Sequence, residues 1–481
     1  MSPNPKIKKK TNEKPNELLF NTENGWLSLS KRDEKELNKI CDNYRNFLSA
    51  AKTEREASKE SIKLAESKGF VDIQPILESG GKISAGDKLY VNIAEKTLIL
   101  FHIGSKDLVE GMRIIGGHTD SPRLDLKPRP IYEESGLSLL DTHYYGGIKK
   151  YQWVTIPLAL HGVVTKKSGE SIDICIGEDE NDPVFTITDI LPHLGKDQAE
   201  KKLNEAITGE GLNVLFGSIP QKSGDAKGKV KVNTLKILNT RYGIDEADLI
   251  SAELEIVPAG KARDLGIDRS MILGYGHDDR VSAYTAIRAL LDLSKTPETT
   301  AMCILTDKEE IGSVGATGMY SFLFENVVAE VMNLAVDNYS NLLLRRCLRN
   351  SKMLSADVNA LHDPNYPEVS SPNDNMAKMN HGLVITKYVG ARGKSGSNDA
   401  SAEYMADLRN IFDDAEVLWQ TGEIGKVDQG GGGTIAFMLA RYEMDVVDCG
   451  VGVFSMHAPM EVVGKFDVYM AYKGYSAFFK T

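Results

Sequence analysis

Cysteine is scarce in this chain. There are five in 481 residues, Cys41, Cys175, Cys303, Cys347 and Cys449, odd in number and far apart. None forms a CxxC pair, which excludes a zinc knuckle or a redox dithiol. The pattern fits a reducing compartment in which thiols serve as small core residues. Long apolar runs are also missing: no stretch approaches the roughly 20 residues a membrane-spanning helix needs. Nor is there an excess of basic residues. Lys plus Arg number 57 against 68 Asp plus Glu, a formal charge of −11. That argues against nucleic acid as the main partner, because binding phosphates needs a basic surface. The first residues, MSPNPKIKKKTNEKPNE, have no apolar core behind their charges and so do not read as a signal peptide. Residues 1–18 are expected to be a flexible tail, and the chain cytoplasmic. A four-glycine run, Gly430 to Gly433, lacks the Lys-Ser/Thr ending of a phosphate loop. Its glycines allow close backbone approach to a substrate, or simply a turn.

What is present is the composition of an ordinary globular protein, 41% hydrophobic and 26% charged, long enough for roughly two or three domains. Between 28 and 70, Leu37, Ile40, Cys41, Tyr44, Phe47 and Leu48 recur at three-four spacing, which predicts helix capped by Ser30. KLYVNIAEKTLILFHIG and MRIIGG then read as strands. From 123 to 258 the texture becomes β-rich. Within it, GKVKVNTLKILNTRYG (228–243) reads as short alternating strands and DQAEKKLNEAITGEGLNVLFG (197–217) as helix with a loop. After 258, strands alternate with helices, the pattern of a mostly parallel sheet covered on both faces. The fold expected is α/β. Residues 1–122 and 259–481 form the two parts of one domain, and 123–258 is a β-rich insert between them.

Chemistry concentrates where strands are predicted to end. IIGGHTDSPRLDLKP (114–128) places His118 and Asp120 at i and i+2, pointing the same way on an extended chain. Gly116 and Gly117 clear side chains from whatever they face. Alone, this is a turn with a locally bonded histidine, or a metal ligand backed by an oxygen acceptor. GYGHDDRVSA puts His277, Asp278 and Asp279 before a helix, where an aspartate could equally be a cap. ILTDKEEIGSVGATG sets Glu309 beside Glu310 after a buried strand. Two carboxylates held there repel each other unless a cation sits between them, and one can bind metal while the other accepts a proton. MLSADVNALHDPNYPE adds Asp357, and GVGVFSMHAPME adds His457. Imidazole and carboxylate ligands without cysteine suit zinc, manganese or cobalt, and a bridging carboxylate would join two ions about 3.5–4 Å apart.

In that order, HTDSP, the Asp of HDDR, the EE pair, SADVNALHDPNY and SMHA resemble the M18 family of metalloaminopeptidases, from about residue 20 to the C-terminus. The resemblance implies a zinc-peptidase-like catalytic domain, a central mixed sheet flanked by helices, with an inserted β-rich dimerisation domain. It implies two divalent metal ions, zinc first with cobalt or manganese as alternatives. His118 and Asp357 would hold one and Glu310 and His457 the other, with Asp278 bridging. Asp120 would orient His118, Glu309 would be the general base, and His161 would reach across a dimer interface into the partner's active site. A peptide substrate and a homo-oligomer, dimers assembled into a tetrahedral dodecamer, follow from the same resemblance. Two departures stand out: Asp279 occupies a position where relatives often carry asparagine, and His277 one that is usually apolar. His362 is assigned no role, and Asp337 is a rival for the third acid. Arg392 and Lys394 are candidates for a pocket that would prefer acidic N-terminal residues. The alternatives are a related binuclear deacylase or carboxypeptidase, and a catalytically idle assembly protein of the same fold.

Overall fold

A computed structural model of the chain describes residues 19–20, 23–222, 227–370 and 375–481; the tail expected over 1–18 lies outside them. A nine-stranded mixed sheet runs through the larger part of the molecule. Its four central strands are β1 (Met112–His118), β2 (Thr300–Thr306), β3 (Lys352–Ser355) and β4 (Asp445–Gly450), in the spatial order β2, β1, β3, β4, all parallel. The hairpin of Lys88–Ile93 and Thr97–His102 adds antiparallel strands at one side, and Leu383–Thr386 runs antiparallel to β4 at the other. The sheet is therefore less parallel than strand–helix alternation alone suggests.

Alternate residues of the central strands point into two different cores. Ile115, Cys303, Leu305 and Leu354 belong to one, packed under helices α1 (Lys31–Ala50), α2 (His277–Leu291), α3 (Ala402–Asp414) and α4 (Lys465–Phe478). Ile114, Met302, Ile304 and Met353 belong to the other, under helices Leu323–Ala335, Asn341–Asn350 and Ala436–Ala440. Burial on both faces is why these strands read as unbroken apolar runs rather than alternating ones. The apolar stripe foreseen between 37 and 48 is the buried face of α1, and Ser30 accepts the Asp33 amide as its cap.

A second, six-stranded antiparallel sheet is built from strands lying wholly between Arg123 and Pro258, and it has a core of its own around Trp153, Leu160, Leu212 and Ile256. Here the sequence misleads once. Residues Lys229–Tyr242 are a helix, not strands. The K-V-K-V alternation covers only its first turn, while Val230, Thr234 and Leu238, four apart, make its buried face. The segment read as helix with a loop holds the one-turn helices Lys196–Ala199 and Leu203–Ala206 and a 3-10 turn at Gly209–Gly211 before strand Val214–Gly217. A third sheet, of five short strands, carries Gly452–Phe454 and Glu461–Gly464 on either side of His457.

The register fixes where chemistry can occur. Thr306 is level with His118, and Ser355 is level with Gly116 and Asp448. The residues just beyond β1, β2 and β3 therefore emerge together at the carboxyl edge of the parallel strands, where α/β folds place their ligands.

Candidate metal centre

Five segments converge at that edge. His118 ends β1, and its ring is 2% exposed. Its Nδ1 lies 2.9 Å from the Asp120 carbonyl oxygen. A carbonyl can only accept, so Nδ1 carries the hydrogen and Nε2 is left to face the centre. There Nε2 lies 3.2 Å from Asp278 Oδ1 and 3.9 Å from Asp357 Oδ1. His457 repeats the arrangement from the other side. Its Nδ1 donates to the Gly147 carbonyl at 3.0 Å. Its Nε2 lies 3.2 Å from Asp278 Oδ2 and 3.4 Å from Glu310 Oε2. Asp278 thus turns one oxygen to each histidine.

The glycines before His118 have a defined use. A Cβ on Gly117 would lie 2.6 Å from Asp279 Oδ2. That oxygen accepts the His118 amide at 3.2 Å, so the empty space is filled by the Asp279 carboxylate. Asp278 and Asp279 stand in the first turn of α2 with non-helical backbone angles and a cis peptide between them.

Asp120 does more than the sequence suggests. Its carbonyl, rather than its carboxylate, makes the shorter contact with His118; the nearest carboxylate oxygen is at 3.3 Å. The carboxylate instead accepts the amide hydrogens of Glu309 at 3.1 Å and Glu310 at 3.2 Å, and the Tyr145 hydroxyl hydrogen at 2.8 Å. These bonds fix the turn in which Lys308 is left-handed and the two glutamates fan apart. Glu310 reaches His457, and Glu309 lies 4.0 Å from His118 Nε2.

The electrostatics say what is missing from this set of side chains. Burial raises the Asp357 and Glu310 carboxyls well above the carboxylate range, with Glu309 and Asp278 respectively adding to the effect. Burial, with Asp120 and Asp278 alongside, pushes Glu309 up to about 7. Burial opposes charge on His457, but Asp278 and Glu310 outweigh it and raise that imidazole to about 10. Glu310 Oε1 is buried with no hydrogen-bond partner among the described residues. Carboxylates crowded this way need cations. The donors fit them: donor atoms sharing a tetrahedral zinc at about 2.0–2.2 Å stand about 3.3–3.6 Å apart, close to the separations of 3.2 to 3.4 Å around Asp278 and His457. His118, Asp278 and Glu310 form one group able to hold an ion, and His118, Asp279 and Asp357 another.

Other residues singled out in the sequence lie elsewhere. Asp337 is exposed and faces Lys82 at 3.9 Å, which removes it as the third acid. His277 is buried against the Tyr44 hydroxyl at 2.6 Å, and the half-buried His362 lies 2.7 Å from the Ser370 hydroxyl. His161 is 2% exposed, with its ring nitrogens 2.8 Å from Glu56 and 3.2 Å from Glu178 of its own chain. Both nitrogens are engaged within its own chain. Arg392 and Lys394 line a separate cavity bordered by Tyr388, Glu423 and Gly430 and by none of the candidate ligands. Lys394 is spent on Asp399 at 2.9 Å and on the face of Tyr388. In the glycine run, a Cβ on Gly430 would meet the Ile424 carbonyl at 1.5 Å and one on Gly431 the Gly390 carbonyl at 2.1 Å. The close approach there is to the chain's own backbone.

Three functional features were missed: Tyr145, the Gly147 carbonyl and Glu461. Glu461 accepts the amide hydrogens of both His457 and Asp278. Its only sequence signal is an acid four residues after His457.

Residues 47–479 match the family model described as Aminopeptidase I zinc metalloprotease (M18). A Clostridium acetobutylicum protein named as a probable M18 family aminopeptidase 1 is 55% identical over 464 residues, 96% of this chain and 99% of its own. The crystal structure of an M18 family aminopeptidase from Thermotoga maritima superposes with a TM-score of 0.90 at 42% identity, covering 96% of this chain and all of that one. The S. cerevisiae mApe1 dodecamer shares the fold at 22% identity, with a TM-score of 0.75 over 93% of this chain and 97% of that one.

Proposed function

The chain belongs to the M18 family of zinc metalloaminopeptidases, and on that premise we propose how its own residues divide the work of removing an N-terminal residue from a peptide. Asp278 carries the proposal, because its two oxygens face two histidines that are each fixed in the tautomer that frees Nε2. His118 and Asp357 would hold one divalent ion and His457 and Glu310 a second, with Asp278 bridging. Zinc is the first choice, with cobalt or manganese as alternatives. Bound there, the ions supply a polarised carbonyl and a water made acidic near neutral pH.

Glu309 is the acid left over once the ligands are assigned. Its side chain is only 15% exposed and lies 4.0 Å from His118 Nε2, beside the ligands without being one of them, the place for a group that accepts a proton from water at the centre. It takes the proton of the attacking water and returns it to the departing amine. Asp120 serves by holding the Glu309 and Glu310 amides, so that base and ligand keep their separation.

We further propose that residues 123–258 are an inserted module and that copies of the chain associate through it, in a cytoplasmic homo-oligomer. Leu191, Leu194, Leu203 and Ile219 lie 49%, 67%, 62% and 69% exposed on that module, apolar surface that association between copies would cover. A tetrahedral dodecamer built from dimers is the assembly we favour.

Hydrolysis of aminoacyl-p-nitroanilides with free and with acetylated amino groups tests the reading. Turnover of the free amines alone supports it. Turnover confined to acylated substrates would favour a deacylase.

A further inference from the structure

Three consecutive residues at the end of strand Leu137–Tyr145 touch three different parts of the metal centre, although that strand belongs to the six-stranded sheet. The Tyr145 hydroxyl donates to Asp120 Oδ2 at 2.8 Å. Gly146, at φ +73°, passes so close to Glu310 that an added Cβ would lie 3.4 Å from its Cβ. The Gly147 carbonyl accepts from His457 Nδ1 at 3.0 Å. We propose that this corner, with Tyr145 as its positioning residue, is how the 123–258 module sets the geometry of the catalytic centre. The inference rests on the metal centre described above and assigns that centre a further residue.

Tyr145 is itself held firmly. The Arg123 guanidinium lies 3.9 Å from the centre of its ring, a favourable place for a cation. Arg123 is kept there by Asp125 at 2.8 Å, Glu255 at 3.1 Å and Glu54 at 3.3 Å. Glu54 opens the helix that follows α1, so the clamp joins the module to the larger domain. Burial holds the Tyr145 hydroxyl far above its ordinary pKa, with the Asp120 charge adding to the effect, so it stays a donor throughout the working range. Of the donors on the Asp120 carboxylate, the Glu309 and Glu310 amides come from the turn that carries the base. Tyr145 brings the one that comes from the module. Losing it leaves the carboxylate held by the two turn amides alone, and the Glu309–Glu310 turn loses its hydrogen-bonded tie to the module.

The test is Tyr145→Phe in the full chain, which keeps the ring and its cation contact while removing the hydroxyl. Zinc affinity is read by competition with a graded chelator, and kcat and KM are measured separately on an aminoacyl-p-nitroanilide. Removing such an outer partner costs about 10–100-fold in affinity or activity. The expected result is zinc bound about tenfold more weakly and kcat reduced about tenfold, with KM within about twofold. Thr142→Val is the companion variant. It deletes the buried hydrogen bond from Thr142 to the Leu212 carbonyl in the same strand, away from the centre, and should leave both readouts at wild-type values. Wild-type zinc affinity and turnover in Tyr145→Phe would overturn the proposal, and so would equal losses in Thr142→Val. A wild-type chain that takes up no zinc would instead overturn the metal centre itself.

Discussion

Glu461 accepts the backbone N–H of His457 at 2.7 Å with one carboxylate oxygen and that of Asp278 at 3.0 Å with the other. One buried side chain thereby sets the spacing between a metal ligand and the acid meant to bridge to it. Glu461→Ala is expected to leave both amides unpaired and weaken metal retention about 10–100-fold, measured as zinc per chain after dialysis against a chelator. Glu461→Gln keeps only one acceptor and should fall between. Full zinc retention in Glu461→Ala would remove Glu461 from the account.

The bridging role of Asp278 separates it from the acids assigned to a single ion. Asp278→Asn should lower the stoichiometry toward zero metals per chain, because both ions lose a ligand. Asp357→Asn should leave one, next to His457 and Glu310. Elemental analysis of the purified variants decides this, and equal losses in the two would refute the bridge.

Much of the centre was legible in the sequence, and for a definite reason. His118, Asp278, Glu309, Glu310 and Asp357 each stand at or just beyond the end of an element whose apolar pattern is plain, so strand ends could be found and the acids at them collected. The partners of these residues were not legible. Tyr145, Gly147 and Glu461 reach Asp120, His457 and Asp278 across 25, 310 and 183 residues of chain, and no local spacing encodes that. Helix Lys229–Tyr242 is hidden because its first turn imitates a strand, and no spacing shows that Lys394, a candidate for the substrate pocket, is paired with Asp399.

Acid should weaken the fold in part through His102. This histidine is 2% exposed on strand Thr97–His102, and its Nδ1 has no hydrogen-bond partner among the described residues. Burial, with Lys88 nearby, lowers its pKa to about 4 from the ordinary 6.5. The folded state therefore binds fewer protons than the unfolded state between those values. Its contribution is present in full above pH 6.5 and is lost as pH falls toward 4, amounting to at most about 3 kcal/mol. Urea unfolding across this range should show a shallower pH slope in His102→Phe than in the wild type. Identical slopes would show that His102 titrates normally.

Association through the 123–258 module makes a separate prediction. Leu194→Glu combined with Leu203→Glu should shift the sedimentation coefficient toward that of a smaller species while the far-ultraviolet circular dichroism stays unchanged. An undiminished assembly would place the interface elsewhere.

The central claim is that Glu309 moves the proton while its neighbours hold the metal. The most direct measurement is turnover of an aminoacyl-p-nitroanilide by Glu309→Gln, with metal content determined on the same samples. The account predicts a kcat about 10²–10⁴-fold below wild type at unchanged metal stoichiometry. Turnover within a few fold of wild type at full metal content would contradict it.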